Sequence, residues 1–258
     1  MKPSDNRPVG IFDSGLGGLT SLKAIRALLP HEDFLFFGDS ANAPYGEKTL
    51  DQVRALTLRR AEELLDRGVK AIVVACNTAT SAAIGLLREL HPEVPIIGIE
   101  PAVKPAAQAG DSSQVLVLAT PLTIHEEKYQ NLAAAFCHEA NVISLPCRGL
   151  AELVETGHRN DAVIDDYLQE LFLPFRHCGV EYIVLGCTHY PFVEKAIRRN
   201  FGRPVEIIDG SEGTARQLKR QLEAADLLSR RTRSGEIVFE NSLPGKAEAS
   251  RALFESED

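Results

Sequence analysis

Short apolar runs of four or five residues recur along the chain, each followed by a longer stretch with helical spacing. That alternation predicts parallel strands joined by crossover helices. The first run, Val9 to Phe12, ends in Asp13-Ser14 and the glycines Gly15, Gly17 and Gly18, before a helix from about Leu19 to Leu29. Phe34 to Phe37 leads through Asp39, Pro44, Tyr45 and Gly46 to a helix over about Leu50 to Arg67. Ala71 to Ala75 ends in Cys76-Asn77-Thr78, a helix follows, and Pro95 to Ile99 is a fourth run. The pattern then restarts. Val115 to Leu118 ends in Ala119-Thr120, and a short strand at Val142 to Leu145 lies between helices near Glu126 to Phe136 and Ala162 to Phe175. Tyr182 to Leu185 ends in Gly186-Cys187-Thr188-His189, and Val205 to Ile208 closes this half. A tail helix near Gly213 to Ala225 and a strand at Ile237 to Glu240 are expected to pack back on the first half, with the residues after Pro244 loosely held.

The two halves superpose in one register. Gly68-Val69 lies 111 residues before Gly179-Val180 (179 − 68), and the same offset relates Ile72-Val73 to Ile183-Val184, Cys76 to Cys187, and Ile96-Ile97 to Ile207-Ile208. This repeat predicts a duplicated α/β protein: two pseudo-symmetric three-layer αβα domains with mostly parallel sheets and a site in the cleft between them. Residues 1–100 with 212–258 form the first expected domain and 101–211 the second.

Composition narrows the function classes. The chain has 258 residues, 44% hydrophobic and 25% charged, as in a soluble globular protein with room for two domains. A formal charge of −8 argues against a nucleic-acid partner. No apolar run reaches membrane-spanning length, and Met1 to Pro8 is polar with no signal-peptide character, so a cytoplasmic protein without a membrane partner is expected. The five cysteines are odd in number and contain no C-x-x-C pair, so they are read as free thiols, with no metal site expected.

Ligands of open parallel sheets bind outside the carboxyl ends of the strands. Asp13-Ser14, Cys76-Asn77-Thr78, Thr120 and Cys187-Thr188-His189 all follow predicted strands. If the halves face each other about a pseudo-dyad, Cys76 and Cys187 confront each other across one cleft. Racemisation needs that arrangement, with a base on one face of a carbon and an acid on the other, each able to exchange roles. A thiol of ordinary pKa, about 8.5, reaches both protonation states near neutrality. Asn77, Thr78, Thr188 and N–H groups at helix starts are candidates to hold a substrate carboxylate, and Thr120 occupies the corresponding strand end. Asp13 and His189 are candidates to tune the thiols. The plainer readings are a core cysteine after a buried strand, a capping His189 and an N-cap Asp13. Cys137, Cys147 and Cys178 lack polar company and are read as structural. The glycines after Asp13 fit neither G-x-G-x-x-G nor a Walker motif, and are expected to let the backbone approach a small anion.

Gly10-Ile11-Phe12-Asp13-Ser14-Gly15-Leu16-Gly17-Gly18, Pro44-Tyr45-Gly46, Ala75-Cys76-Asn77-Thr78-Ala79 and Gly186-Cys187-Thr188-His189-Tyr190-Pro191 resemble, in order, the signature segments of bacterial glutamate racemases. The likeness runs over about residues 8 to 220. It implies interconversion of L- and D-glutamate without pyridoxal phosphate, metal or other cofactor, supplying D-glutamate for peptidoglycan. It implies Cys76 and Cys187 as the acid/base pair, the first acting on the D-enantiomer and the second on the L-enantiomer. It also implies substrate contacts from Asp13, Ser14, Tyr45, Gly46, Asn77, Thr78, Thr188 and His189, and a role for Glu155 beside the second cysteine. Family members often form dimers in differing arrangements, so a homodimer is open for this chain. Some members carry an N-terminal extension linked to activation by a peptidoglycan precursor; with about eight residues before the first strand, that regulation is not expected here. A racemase of aspartate or another small acid, and a non-catalytic small-anion binding protein, remain as alternatives.

Overall fold

The computed structural model describes residues 5–109, 113–176 and 178–256. The first half runs β1 (Val9–Asp13), α1 (Leu19–Leu28), β2 (Phe34–Gly38), α2 (Leu50–Asp66), β3 (Ala71–Val74), α3 (Asn77–Leu90) and β4 (Ile96–Gly98). The second runs α4 (Val103–Ala107), β5 (Ser113–Ala119), α5 (Pro121–His125), α6 (Glu127–Ala135), β6 (Ala140–Pro146), α7 (Leu150–Glu155), α8 (Ala162–Phe172), β7 (Tyr182–Gly186), α9 (Glu194–Phe201) and β8 (Glu206–Asp209). The tail adds α10 (Ser211–Ala224), β9 (Ile237–Asn241) and α11 (Lys246–Glu255).

The apolar runs form strands because burial on both faces rewards unbroken β-branched and aromatic sequence. All of β1 and β3 is buried. Helix starts are marked by side chains that accept orphan N–H groups. Thr49 makes a reciprocal capping box with Gln52, and Asp161 accepts from Ile164. The first sheet has the order β4-β3-β1-β2-β9 and the second β6-β5-β7-β8, with every pairing parallel. Within each half the third strand therefore lies beside the first, so β3 and β7 occupy equivalent places, as the 111-residue register requires. Helices cover both faces. On the first sheet, one core gathers Leu19, Leu22 and Ile25 of α1 with Leu218 and Leu222 of α10, and another gathers Val53, Leu64, Ala79 and Leu87 of α2 and α3. No helix among the described residues is long and apolar enough to cross a membrane.

The structure departs from the sequence reading in the short elements and at the end. α5 was hidden because its five residues are too few for helical periodicity, and the predicted helix over 162–175 finishes as a 3-10 turn at Leu173–Phe175. The residues after Pro244 are not loosely held. They form α11, whose Ser250 is fully buried and whose Phe254 ring lies 5.5 Å from that of Phe239 on β9. Lys23 Nζ donates to the Ser256 carbonyl at 2.7 Å, fastening the end of α11 to α1. The apolar pair Leu253 and Phe254 closes the edge of the first core, which its helical spacing allows once β9 is in place.

At the end of the first sheet away from the strand carboxyl termini, Lys70 Nζ meets Glu32 Oε2 at 2.6 Å, with side chains 0% and 2% exposed. The ammonium also donates to the carbonyls of Asp5 and Leu227, and Glu32 Oε1 accepts from Ser229 N–H. This ion pair thus ties the segment before β1 and the α10–β9 connection to the sheet. Removing one partner strands the other charge in the interior. Glu32→Gln is expected to lower unfolding stability by about 3 kcal/mol. Urea midpoints compare it with the parent; a change under about 1 kcal/mol, the ordinary effect of an exposed pair, would contradict this account.

Candidate active site

The parallel sheets present their strand carboxyl ends to each other. Asp13 ends β1 and is fully buried, Cys76 follows β3, and Cys187-Thr188-His189 follows β7. Hydrogen bonds across the halves hold these ends together. Thr188 Oγ1 donates to Asp13 Oδ1 at 2.9 Å, and the Thr78 and Thr120 hydroxyls lie 3.0 Å apart.

Cys76 is the N-cap of α3, its Sγ accepting from Ala79 N–H at 3.5 Å. A helix N-terminus favours a thiolate, and a hydrogen bond from Ser14 acts in the same direction. Burial acts against ionisation, as does the neighbouring Asp13 carboxylate, and together they push the thiol up to about 12. A charge on Cys187 would raise it further, so the two sulfurs are within electrostatic reach.

Cys187 has different company. Its Sγ lies 3.8 Å from His189 Nδ1, and His189 Nε2 lies 2.8 Å from Glu155 Oε2. Burial alone would lower the pKa of the imidazole. The hydrogen bonds to Cys187 and Glu155 outweigh it and hold His189 well above 6.5. Burial works against the ionised Glu155 too, but His189, Ser40 Oγ at 2.7 Å from Oε1 and Leu16 N–H at 3.0 Å from Oε2 bring it down to about 2. Cys187 therefore sits beside an imidazole whose protonation a carboxylate favours, whereas Cys76 sits beside a carboxylate.

The remaining expected residues gather here in varied states. Both amide atoms of Asn77 are buried without a hydrogen-bond partner in the protein. Buried polar atoms in that condition are uncommon and cost free energy unless a ligand meets them. The hydroxyls of Thr78, Thr120 and Thr123 form a triangle with sides of 2.9 to 3.2 Å. Tyr45 is buried and donates its hydroxyl proton to Asp39 Oδ2 at 2.7 Å, so that proton is committed within the protein. Gly46 lies against the Thr120 side chain, where a Cβ would come within 2.5 Å. Among the other thiols, Cys147 is buried in the core cluster that holds Cys187, Cys178 is half-buried and Cys137 is exposed.

The glycine-rich turn packs against the second half. A Cβ on Gly15 would fall 2.6 Å from Glu155 Oε2, and one on Gly17 would fall 2.6 Å from His189 Nδ1 and Thr188 Oγ1. The glycines thus let Glu155, Thr188 and His189 of the second half approach the backbone of the first. Sequence reasoning missed Asp39, Ser40 and Thr123 as site residues. Asp39-Ser40 follow β2 as Asp13-Ser14 follow β1, so the strand-end rule carried a signal for them. Thr123 had none, because α5 itself was not legible. A cavity of about 1060 Å3 lies elsewhere, between Arg88, Lys104, Asp209, Arg216 and Arg220. It touches neither thiol, and the chemistry is assigned to the buried cluster because that is where the nucleophiles and their ionised neighbours converge.

Comparison with known proteins bears on this cluster. Residues 21–218 match the Asp/Glu/Hydantoin racemase family. The glutamate racemase of Clostridium botulinum (strain Alaska E43 / Type E3) is 44% identical over 253 residues, covering 97% of this chain and 98% of that one. The crystal structure of glutamate racemase from Francisella tularensis in complex with D-glutamate aligns with a TM-score of 0.84 at 31% identity, over 97% of this chain and 94% of that one. The enzyme from Thermus thermophilus in complex with beta-chloro-D-alanine aligns with a TM-score of 0.78 at 40% identity, over 98% and 93%.

The His189–Glu155 pair makes stability depend on pH in a defined sense. Glu155 is held near 2 against an ordinary 4.5, so its contribution is present above 4.5 and is lost as pH falls towards 2. His189 is raised above 6.5, so its contribution is complete below 6.5 and is lost as pH rises through the folded-state value. Glu155→Gln should therefore cost about 3 kcal/mol near neutral pH, with the gap to the parent narrowing as pH falls from about 4.5 towards 2. Urea midpoints across that range test it, and a gap that does not change with pH would refute the ionised pair.

Proposed function

This chain belongs to the Asp/Glu/hydantoin racemase family, among its glutamate racemases, and we propose that it interconverts L- and D-glutamate by proton transfers between the α-carbon and two thiols. Cys76 and Cys187 are the acid/base pair. The observation that carries this reading is their convergence, as buried thiols from equivalent strand ends, with an ionisable partner beside each. One thiolate takes the α-proton, the electron pair is spread into the substrate carboxylate, and the opposite thiol returns a proton to the other face. With Cys76 serving the D-enantiomer and Cys187 the L-enantiomer, each thiol is base in one direction and acid in the other.

The surroundings support those roles. A substrate ammonium placed near Asp13 would offset the carboxylate that opposes ionisation of Cys76. The His189 imidazolium would stabilise a Cys187 thiolate and restore its proton when Cys187 acts as the acid, and Glu155 holds the imidazole in place. Ser14, Asn77, Thr78, Thr120, Thr188 and the Tyr45-Gly46 turn are the proposed substrate-binding groups. The unpartnered Asn77 amide and the N–H groups opening α3 suit a carboxylate. The reaction needs no pyridoxal phosphate or metal in this scheme, and its D-glutamate would serve peptidoglycan synthesis in the cytoplasm. Residues 1–100 with 212–258 and residues 101–211 are the proposed domains, a division supported by the parallel pairing of β9 with β2.

The circular dichroism of D-glutamate, followed with reductant and chelator present and no cofactor added, should decay to zero. In deuterium oxide the product should carry deuterium at the α-carbon. Cys76→Ser and Cys187→Ser should each slow the decay by roughly a hundredfold to ten-thousandfold, the usual range for removing a general acid or base. A parent-like rate in either variant would show the two-thiol scheme to be wrong.

A further inference from the structure

We propose that Asn241, on the C-terminal return strand β9, is a positioning residue for the acid/base centre at Cys187, acting through Ser40 and Glu155. The inference rests on the two-thiol reading and deepens it. It gives a role to a segment beyond residue 218, where the family match ends.

The geometry is a chain of hydrogen bonds whose direction is settled at its far end. Leu243 N–H donates to Asn241 Oδ1 at 2.9 Å, so that atom is the amide oxygen. The other amide atom is then the nitrogen, and it donates to Ser40 Oγ at 3.0 Å. With a lone pair of the Ser40 hydroxyl engaged in this way, its proton is directed to Glu155 Oε1 at 2.7 Å. Glu155 Oε2 meets His189 Nε2 at 2.8 Å, and His189 Nδ1 faces Cys187 Sγ at 3.8 Å. The amide of Asn241 thus orients the donor that holds Glu155, which holds the imidazole beside the thiol.

The fold builds this link deliberately close. Gly38 pairs with Asn241 in the β2–β9 register, and a Cβ on Gly38 would fall 2.7 Å from Asn241 Nδ2 and 2.5 Å from the Gly15 carbonyl. Ser242 fastens the same corner, its N–H donating to the Gly38 carbonyl at 3.0 Å and its Oγ accepting from Ala41 N–H at 2.9 Å. Lys246, at the start of α11, donates to the Glu155 backbone carbonyl at 3.4 Å, so the return segment reaches this residue twice. The groups facing the Glu155 carboxylate are then His189, the Ser40 hydroxyl, the Leu16 N–H and, at longer range, the Arg159 guanidinium.

Asn241→Asp is the discriminating variant. It keeps an oxygen that caps Leu243 N–H, while the Nδ2 donor to Ser40 becomes a charged acceptor, so the cap survives and the orientation of Ser40 does not. Asn241→Ala removes both, and Val238→Thr, at an exposed position on β9, controls for disturbance of the strand. Both Asn241 variants are expected to lower kcat by about threefold to tenfold with a smaller change in KM, the fold-change that one hydrogen bond is worth. They should also move the acidic limb of the pH profile of kcat/KM upward, because Glu155 loses a fixed donor and, in Asn241→Asp, gains a like charge nearby. Asn241→Ala combined with Ser40→Ala should be less than additive in ln kcat. A parent-like kcat and acidic limb in Asn241→Asp, while Cys187→Ser is inactive, would overturn the inference and leave the two-thiol reading intact. A parent-like rate in Cys187→Ser would overturn the two-thiol reading itself, and the inference with it.

Discussion

Glu155 is a buried carboxylate whose donors come from both halves of the molecule: His189 from its own, and Leu16 N–H with Ser40 Oγ from the other. Charge-assisted bonds of this kind are roughly twice as strong as neutral ones, and stranding such a charge in the interior is costly. The two sheets therefore cannot part along this edge without exposing or protonating the carboxylate. Asp13 makes the reciprocal bond, accepting from Thr188 across the same gap. Each half thus ends one strand or helix in an acid that is satisfied by the other half. The relative placement of the two thiols depends on that exchange.

Within a pseudo-symmetric frame the site is chemically asymmetric. Strand orders match, and the cysteines occupy equivalent strand ends. Yet Cys76 has Asp13 and a helix N-terminus as neighbours, and Cys187 has an imidazole. Duplication explains the matched positions of the sulfurs. It does not require matched surroundings, because the repeat position that carries His189 beside Cys187 carries Thr78 after Cys76. The proposed reaction tolerates such a difference: in it each thiol would both take and give a proton, and the same end can be reached with different electrostatic support on each side.

The glycine-rich turn after β1 shows how a local pattern acquires its meaning from distant residues. Its spacing matches no nucleotide-loop motif, and close backbone approach of a small anion was the expected use. What approaches is Glu155, His189 and Thr188, each more than a hundred residues away. The return segment is a parallel case. Ile237 to Glu240 reads as a strand, but nothing local to it indicates that Asn241 would meet Ser40, or that Phe254 would close a core begun by α1.

The sequence by itself determined the longer elements, the duplication, the parallel sheets and the strand ends where polar residues gather. It could do so because buried parallel strands need continuous apolar runs, helices need a periodic face, and both constraints act over a few residues. It also singled out Cys76, Asn77, Cys187 and His189, since strand-end position is a local property, while Tyr45, Gly46 and Glu155 entered through resemblance to known segments. Only the tertiary structure decided which side chains complete the site. Ser40 beside Glu155, Thr123 beside Thr78, Tyr45 spent on Asp39 and the protonated state favoured for His189 all depend on distances between residues far apart in the chain. Hydrogen bonds and ionisation equilibria are set by neighbours within a few ångströms and by burial, and neither is defined until the two halves have met.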